Sequence, residues 1–189
     1  MTIKIAHLYY DLMNLYGENG NIRALKNYFE RQDIIVEIHF LTIDDNINFD
    51  DYDIFYIGSG TESSQLLVLQ DLEKRKEQIR TAIEDNKYFF ITGNAIELFG
   101  KYIIDFKNVK INCLNIFNYY TKMTDIEHYT TNVEFRIIDE IIAKSKLINE
   151  KIIGFQNRSG VLLENKYSWL TMIKGPGNTV NDKQEGVNV

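Results

Sequence analysis

The residues from Phe90 to Gly100 combine a strand with a sharp turn, a pattern on which α/β enzymes often place a nucleophile. The apolar run Tyr88–Ile91 predicts a strand, Thr92–Asn94 predicts a turn, and a helical pattern begins at Ala95. Such a turn presents one residue at the carboxyl edge of a sheet, above a helix N-terminus. In this chain the turn carries a glycine and an asparagine, with no Cys or Ser at its tip. The stretch therefore predicts the location of a site, but it contains no side chain at the tip of the turn that could be its nucleophile.

A second glycine-bearing turn, Gly58-Ser59-Gly60, follows the apolar run at 53–57. In a doubly wound sheet, turns of this kind line a crevice at the carboxyl edge, where ligands bind. Backbone N–H groups of the turn are suited to hold an oxyanion or a carboxylate. Alternatively, the glycines serve only to make tight strand-to-helix connections. Neither turn is a Walker A loop or a complete GxGxxG fingerprint, so nucleotide binding has little support in the sequence.

The connection from Asp11 to Asn21 is unusually polar and rich in glycine for a simple loop. One interpretation is the wall of a pocket or a contact for a partner, through residues such as Asn14, Tyr16 and Gly17. The other is ordinary capping of the following helix, with Asn21 as its N-cap. Capping explains Asn21 but not the rest of the loop, so both interpretations stay open.

The remaining residues with chemically active side chains fit structural roles better. The acidic residues between 50 and 53 lack EF-hand spacing. The histidines His7, His39 and His128 are far apart in sequence, and no HExxH or CxxC motif supports zinc. Cys113 lies in an apolar alternation with no local base to lower its pKa, so we interpret it as a structural residue. We therefore expect no metal and no cofactor.

The composition is that of a globular protein, with 189 residues, of which 44% are hydrophobic and 25% are charged. A formal net charge of −6 and the lack of a Lys/Arg block argue against nucleic acid and anionic membranes as partners. No apolar run approaches the roughly 20 residues that span a bilayer, so no membrane insertion is expected. A single cysteine is compatible with a reducing compartment, and we expect a cytoplasmic protein.

Short apolar strands alternate with helical patterns up to Gly100, in the order β-α-β-β-α-β-α. This order predicts an α/β fold with a parallel sheet that helices cover on both faces. The strands are expected at 3–10, 34–40, 53–57 and 88–91. The helices are expected at 21–32 and 62–85, the second as one helix or as two.

After Gly100 the pattern changes to shorter strands joined by turns, expected at 109–113, 115–120, 132–138, 151–156 and 161–163. The segment 140–147 is interpreted as a short helix or a hairpin connection, and 175–189 carries no convincing element. We expect a single domain over residues 1–189. Because a doubly wound domain rarely stops in such a tail, we also expect that domain to lack its C-terminal end.

Three stretches of the chain resemble the GatD-type glutamine amidotransferases, which are relatives of the amidotransferase domain of cobyric acid synthase. The segment 11–22, DLMNLYGENGNI, resembles the N-terminal signature of that family. The segment 53–60, DIFYIGSG, resembles its glycine-rich oxyanion strand and turn, with Gln65 placed like a glutamine of the family. The segment 154–160, GFQNRSG, is similar to the family stretch G-F-E-N-H-x-G.

The resemblance implies a class I glutamine amidotransferase fold, a flavodoxin-like three-layer α/β sandwich with a mostly parallel central sheet. In that family a cysteine at the elbow attacks the side-chain amide of glutamine and releases ammonia, with a histidine as the base. GatD pairs with MurT, a Mur-ligase-like subunit that uses ATP, and the pair amidates the D-glutamate of the peptidoglycan precursor lipid II. The resemblance therefore implies a MurT-like partner, and glutamine as a ligand, for this chain.

This chain departs from the family pattern in three places. The family elbow C-G-G-Y-Q-x-L-G matches 93–100, so Gly93 takes the place of the nucleophile. The substrate-holding arginine of the family falls near His128. The family histidine lies beyond a G-N-G…E-G stretch, which 177–178 and 185–186 resemble, and the sequence ends at Val189 before such a histidine.

Three functions are compatible with these features. The first is a glutamine amidotransferase-like subunit that has lost glutaminase activity and serves as a binding or scaffolding partner, because glycine cannot form a thioester. The second is an active amidotransferase with a different nucleophile, for which Thr92 and Ser59 are the nearest hydroxyls. The third is an interaction module with an unrelated ligand.

The sequence assigns no catalytic residue, but it predicts two groups of site residues. The residues expected in the oxyanion and glutamine pocket are Gly58, Ser59, Gly60, Gly93, Asn94 and His128. The residues expected in the pocket or partner loop are Asn14, Tyr16, Gly17 and Asn21.

Overall fold

The computed structural model describes residues 1–124, 139–147, 150–156, 158–179 and 181–189. The chain divides into two compact units, Met1–Leu98 and Phe99–Val189, each with its own sheets. The single domain expected over residues 1–189 stays a prediction. His128 and the strand predicted at 132–138 lie outside the described residues.

The first unit is built on a four-stranded parallel sheet, as the apolar runs predict. Its strands are β1 (Thr2–Leu8), β2 (Ile35–Leu41), β3 (Ile54–Ile57) and β4 (Tyr88–Ile91). Their order across the sheet is β2-β1-β3-β4, and all three neighbouring pairs are parallel. The α/β class with a mostly parallel central sheet is thereby confirmed.

Three helices connect these strands: α1 (Asn19–Glu30), α2 (Glu62–Lys74) and α3 (Lys76–Glu84). The segment predicted as one helix or two is two, with the break at Arg75. The connection from β1 leads to β2 at one edge of the sheet, and the connection from β3 leads to β4 at the other edge. Right-handed crossovers therefore place α1 on one face and the α2–α3 pair on the other, which gives the first unit three layers.

Successive side chains of a strand point to opposite faces of the sheet, so each strand contributes to a hydrophobic core on both faces. On the α1 face, the buried side chains that pack together are those of Ile3, Ile5, Ile22, Val36 and Tyr56. On the other face, the Phe55 ring stacks on Phe89 at 4.7 Å between centroids and lies 4.9 Å from Phe49. Phe49 belongs to a 3₁₀ turn, Phe49–Asp51, that precedes β3.

The described residues of the second unit form two four-stranded sheets, and most of their strand pairs are antiparallel. The strands are β5 (Tyr102–Ile104), β6 (Lys110–Asn112), β7 (Tyr120–Met123), β8 (Asp139–Ser145), β9 (Lys151–Gln156), β10 (Gly160–Leu163), β11 (Leu170–Lys174) and β12 (Gln184–Glu185). One sheet has the order β10-β7-β5-β6, and the other has the order β12-β11-β8-β9.

Three sequence-based expectations for the second unit are wrong. The strand expected at 115–120 is absent because Asn115 has a φ of +50°, which interrupts an extended chain, and β7 begins only at Tyr120. The segment 140–147 is neither a helix nor a connection, because β8 pairs with both β9 and β11. The tail at 175–189 does contribute an element, the short strand β12, which pairs with β11.

The stretch that resembles G-F-E-N-H-x-G takes part in a partly buried ion pair within the second unit. Arg158 donates from both terminal nitrogens to the carboxylate of Glu185, each at 3.1 Å, and Gln156 donates to the same carboxylate at 3.1 Å. Burial raises the pKa of Glu185, and the neighbouring Arg158 only partly opposes this rise. Gln156, the last residue of β9, and Arg158, just after that strand, therefore connect this stretch to Glu185 of β12.

Candidate functional site

The candidate site lies at the carboxyl ends of β1, β3 and β4. β1 and β3 are neighbours whose connections leave in opposite directions, which makes this edge the switch point of the sheet, where ligands of α/β folds bind. Three segments meet there: the loop that follows β1, the turn 58–61 that follows β3, and the turn 92–94 that follows β4.

The turn after β4 has the geometry of an elbow, as the sequence predicts. The helix that follows is a 3₁₀ helix, Gly93–Phe99, and Gly93 has a φ of +58°. A Cβ atom at position 93 would lie 1.7 Å from Oγ of Ser59 and 2.8 Å from its Cβ. The Ser59 hydroxyl therefore fills the space into which a side chain at position 93 would extend.

Asn94 ties the two predicted turns together. Its amide nitrogen donates to the carbonyl oxygen of Gly60 at 2.8 Å, and the Gly60 N–H donates to Asn94 Oδ1 at 3.0 Å. Gln65 supports this contact by donating to the Asn94 carbonyl at 2.7 Å and to Glu97 at 2.9 Å. One of the N–H groups expected to hold an oxyanion, that of Gly60, is therefore already bound by a side chain of the protein.

The centre of the site is Glu18, a residue that is not among the site residues predicted from the sequence. Its side chain is buried, and one carboxylate oxygen, Oε2, accepts three hydrogen bonds. The donors are the Tyr56 hydroxyl at 2.7 Å, the Asn21 amide at 2.8 Å and the Thr92 hydroxyl at 3.1 Å. One feature of the sequence could have indicated this role. Glu18 is an acidic residue in the loop that resembles the family signature, and it lies directly before α1.

Hydrogen bonding keeps the Glu18 carboxylate ionised despite its burial. Burial raises its pKa, but hydrogen bonds from Tyr56, from the hydroxyl and backbone N–H of Ser59, and from Thr92 together hold the pKa below its ordinary value. The turn at Ser59 was predicted to hold an oxyanion or a carboxylate. In this structure it stabilises a carboxylate of the protein itself.

Close packing around Glu18 explains the glycine at position 58. A Cβ atom there would lie 2.5 Å from Cγ of Glu18 and 2.5 Å from the carbonyl oxygen of Met13. Any larger residue at position 58 would therefore push the β1 loop away from the β3 turn. We interpret Gly58 as a requirement of this close approach, which favours the structural interpretation of that glycine over a ligand-binding one.

The loop after β1 is organised by its own polar side chains. Asn14 Oδ1 accepts from the backbone N–H of Asn19 at 3.0 Å, and Gly17 has a φ of +79°. Asn21 is not the N-cap of α1, because the helix begins at Asn19 and the Asn21 amide instead donates to Glu18 and to the Tyr56 hydroxyl. Tyr16 contributes to none of these contacts and its side chain is exposed.

The histidines near this site are not suited to be its base. His7 is fully buried with its ring 5.1 Å from that of Tyr56. Burial lowers the pKa of His7 to about 4, although the charge of Glu18 opposes the shift, so the ring is neutral at physiological pH. His39, on the edge strand β2, shares a hydrogen bond of 3.0 Å with the Tyr52 hydroxyl. Among the described residues, no group of three His, Cys, Asp or Glu side chains is placed to hold a metal ion.

The start of the β1 loop is anchored by a buried network on the other side of the sheet. Tyr9 is fully buried with a φ of +54°, a left-handed conformation that residues other than glycine rarely adopt. Its hydroxyl donates to Asp71 at 2.9 Å, and Arg75 Nε donates to the same carboxylate at 2.9 Å. Burial raises the pKa of Asp71, but these hydrogen bonds hold it below its ordinary value.

Replacement of Asp71 by alanine is expected to lower the free energy of unfolding by about 2–4 kcal/mol, because the Tyr9 hydroxyl and the Arg75 guanidinium lose their buried acceptor. Urea denaturation of the purified variant measures this loss. The matched control is Glu73→Ala, an exposed acid on the same helix, which should change stability by less than about 0.5 kcal/mol. Equal stability of the two variants would show that the network does not anchor the loop.

The parallel sheet, its switch point and the elbow after β4 are features of the class I glutamine amidotransferase fold, and the family to which the chain is matched assigns it to this class. The chain belongs to the family of the CobB/CobQ-like glutamine amidotransferase domain, which matches residues 4–189. The resemblance proposed from the three sequence stretches is thereby confirmed.

Two similar proteins are subunits named GatD of a lipid II isoglutaminyl synthase (glutamine-hydrolyzing). The one from Streptococcus pneumoniae is 29% identical over 188 residues, which cover 98% of this chain and 69% of that protein. The one from Staphylococcus aureus is 30% identical over 186 residues, which cover 98% of this chain and 72% of that protein. Within the described residues, no helix is both long enough and apolar enough to cross a membrane.

Proposed function

We propose that this chain is a non-catalytic, cytoplasmic glutamine amidotransferase-like subunit, which binds a MurT-like Mur-ligase partner in the amidation of lipid II. The family and the similarity to two GatD subunits support the class of reaction and the existence of a partner. In this proposal the subunit contributes binding, as one half of a heterodimer, and ammonia comes from another source.

The proposal depends on which residues occupy the elbow after β4. Gly93 has no side chain that can attack an amide, and the space beside it is filled by the Ser59 hydroxyl. The Gly60 N–H is bound to Asn94, and Ser59 hydrogen bonds to the Glu18 carboxylate. A substrate oxyanion would have to displace these internal contacts before it met the donors of the turn.

An active enzyme with a hydroxyl nucleophile is the second candidate, because Ser59 lies against a buried carboxylate. Glu18 is poorly suited to activate that hydroxyl. Its lowered pKa makes it a weak base, and its hydrogen bonds from Tyr56, Asn21 and Thr92 oppose the gain of a proton. His7, which packs against the Tyr56 ring, is also a weak base, because burial lowers its pKa to about 4.

A glutaminase assay tests the proposal. The purified chain, alone and mixed with its Mur-ligase-like partner, is expected to release no ammonia from glutamine above background, because the elbow lacks a nucleophile. The same mixture is expected to elute as a complex in size-exclusion chromatography. The Staphylococcus aureus GatD subunit serves as the positive control for the assay.

Each alternative has its own outcome in this experiment. Ammonia release that is lost in Ser59→Ala would favour the enzyme with a hydroxyl nucleophile. A complex with a protein that has no ligase domain, together with no binding to the Mur-ligase-like subunit, would favour an unrelated interaction module.

A further inference from the structure

The side chain of Asn94 contacts the backbone of Gly60 at two points. The Gly60 N–H donates to Asn94 Oδ1 at 3.0 Å, and Asn94 Nδ2 donates to the carbonyl oxygen of Gly60 at 2.8 Å. Asn94 therefore presents one acceptor and one donor, side by side, to a single residue. This is the arrangement of a ligand in its binding position, except that the ligand belongs to the chain itself.

The backbone of Gly60 determines which chemical groups fit this position. A backbone N–H can only donate a hydrogen bond, and a backbone carbonyl oxygen can only accept one. The group that fills the position must therefore supply an acceptor and a donor side by side, as a primary carboxamide does. A carboxylate would place a second acceptor against the Gly60 carbonyl oxygen, and an ammonium or guanidinium group has no acceptor for the N–H.

The loop after β1 holds the backbone of Gly60 in place. Gly60 is buried, and a Cβ atom at this position would collide with Sδ of Met13 and lie 3.0 Å from the carbonyl oxygen of Leu12. The carbonyl oxygen of the preceding Ser59 accepts from the backbone N–H of Leu15 at 2.9 Å. The donor and the acceptor of Gly60 are thus fixed by contacts that do not involve Asn94.

The Asn94 side chain, by contrast, lies where solvent reaches it. Asn94 is partly exposed, and Gly93 before it is exposed. The backbone of Asn94 is held separately from its side chain, because Gln65 donates to the Asn94 carbonyl oxygen at 2.7 Å. Truncation of the Asn94 side chain would therefore leave a position that a small molecule can enter, beside an N–H and a C=O group that need new partners.

We propose that Gly60 forms a binding position for a primary carboxamide, which the side chain of Asn94 occupies and closes to free ligands. This inference deepens the proposed function, and it rests on that function only in treating the elbow as non-catalytic. In the wild-type chain a free amide, the side chain of glutamine included, meets a turn whose donor and acceptor are already engaged.

The test is an NMR titration of the Gly60 amide signal in the full-length chain at pH 7. Asn94→Gly removes a group with the shape of acetamide, so acetamide is expected to shift this signal saturably. The expected Kd is about 10–500 mM, because so small a ligand with two hydrogen bonds gains little net free energy. Acetate has the same shape but no donor, and at equal ionic strength it is expected to bind at least about 10-fold more weakly. Neither molecule is expected to shift the Gly60 signal of the wild type.

A second variant tests the same inference if Asn94→Gly does not fold. Asn94→Ala keeps the Cβ atom and removes a group with the shape of formamide, so formamide is its expected ligand and formate is the matched control. Thermal melting supplies a second readout. Asn94→Gly is expected to melt about 4–10 °C below the wild type, because two hydrogen bonds are lost. Acetamide should narrow this difference in Tm, and acetate should not.

The outcomes separate this inference from the proposed function. The inference is overturned if neither variant shows a saturable shift, if acetate or formate binds as tightly as its amide, or if the wild type responds as Asn94→Gly does. None of these results depends on the Mur-ligase-like subunit. Ammonia release by the wild type, or the lack of a complex with that subunit, would reject the proposed function whatever the titrations show.

Discussion

The single variant Gly93→Cys is expected to be less stable than the wild type. Its new thiol is expected to react with an alkylating reagent no faster than an unactivated cysteine does. The new Cβ atom would lie 1.7 Å from Oγ of Ser59, so the Ser59 side chain must move away from its place beside Glu18. A left-handed backbone costs a residue other than glycine about 1–2 kcal/mol, and overpacking costs about 1–3 kcal/mol more. We therefore expect a loss of about 2–5 kcal/mol in the free energy of unfolding.

The double variant Ser59→Gly/Gly93→Cys is expected to behave differently. Removal of the Ser59 side chain deletes the two side-chain atoms that a Cβ at position 93 would meet, so the overpacking is relieved. The cost of the left-handed backbone remains, together with the loss of the Ser59 hydrogen bond to Glu18. The thiol then sits in an open elbow above the 3₁₀ helix and should react with an alkylating reagent at least several-fold faster than in the single variant. Urea denaturation and the rate of alkylation give the two readouts.

Two further variants control this comparison. Ser59→Gly alone reports what the loss of the hydroxyl costs, and Cys113→Ala, introduced into every variant, removes the buried native thiol from the alkylation signal. The explanation offered for the empty elbow fails if Gly93→Cys alone is as stable as the wild type and its thiol is as reactive as that of the double variant.

Much of the first unit was predictable because its strands are local features of the sequence. The run at 53–57 is apolar and ends in glycines, and the structure has β3 at Ile54–Ile57. The two turns of the site were predictable for the same reason, since glycine next to a strand end indicates a tight turn. Their mutual contact, made by Asn94 and Gly60, joins residues 34 positions apart and is not visible in any local pattern.

The central residue of the site could not be found from local patterns. Glu18 meets Tyr56 across 38 positions and Thr92 across 74 positions, so its role exists only when three strand ends come together. The same reason explains the errors after Gly100. The segment 140–147 has an ambiguous local pattern, and only pairing with β9 and β11 makes it a strand.

The hydrogen bonds around Glu18 stabilise the carboxyl edge of the sheet, and this role does not depend on catalysis. In an active enzyme the turn at Ser59 and Gly60 would leave its donors free for an oxyanion. Here one carboxylate and one amide of the protein engage this turn, and these hydrogen bonds connect the β1 loop, the β3 turn and the β4 elbow. A surface that internal hydrogen bonds hold in shape is suited to binding a partner.

Replacement of Glu18 by glutamine is expected to be the most damaging conservative change in the first unit. The side chain keeps its size, but the charge that accepts hydrogen bonds from Tyr56, Asn21 and Thr92 is lost. Hydrogen bonds to a charged group each contribute about 1.5–3 kcal/mol, and an uncharged amide oxygen accepts more weakly. The new amide nitrogen cannot accept at all, so it opposes either these donors or the hydroxyl and backbone N–H of Ser59. We expect the free energy of unfolding at pH 7 to fall by about 2–4 kcal/mol.

The dependence of stability on pH identifies the cause of this loss. The pKa of Glu18 is lower in the folded protein than its ordinary value of 4.5, so its contribution is fully present above that value and is lost as the pH falls through the folded pKa. The wild type should therefore lose stability on acidification below about pH 4.5 more steeply than Glu18→Gln, and the two should converge at low pH. The matched control is Glu37→Gln, an exposed acid on β2, which should keep both the stability and the acid response of the wild type. Parallel curves for the wild type and Glu18→Gln down to low pH would mean that the loss comes from packing and that the charge at the centre of the site is not what holds it together.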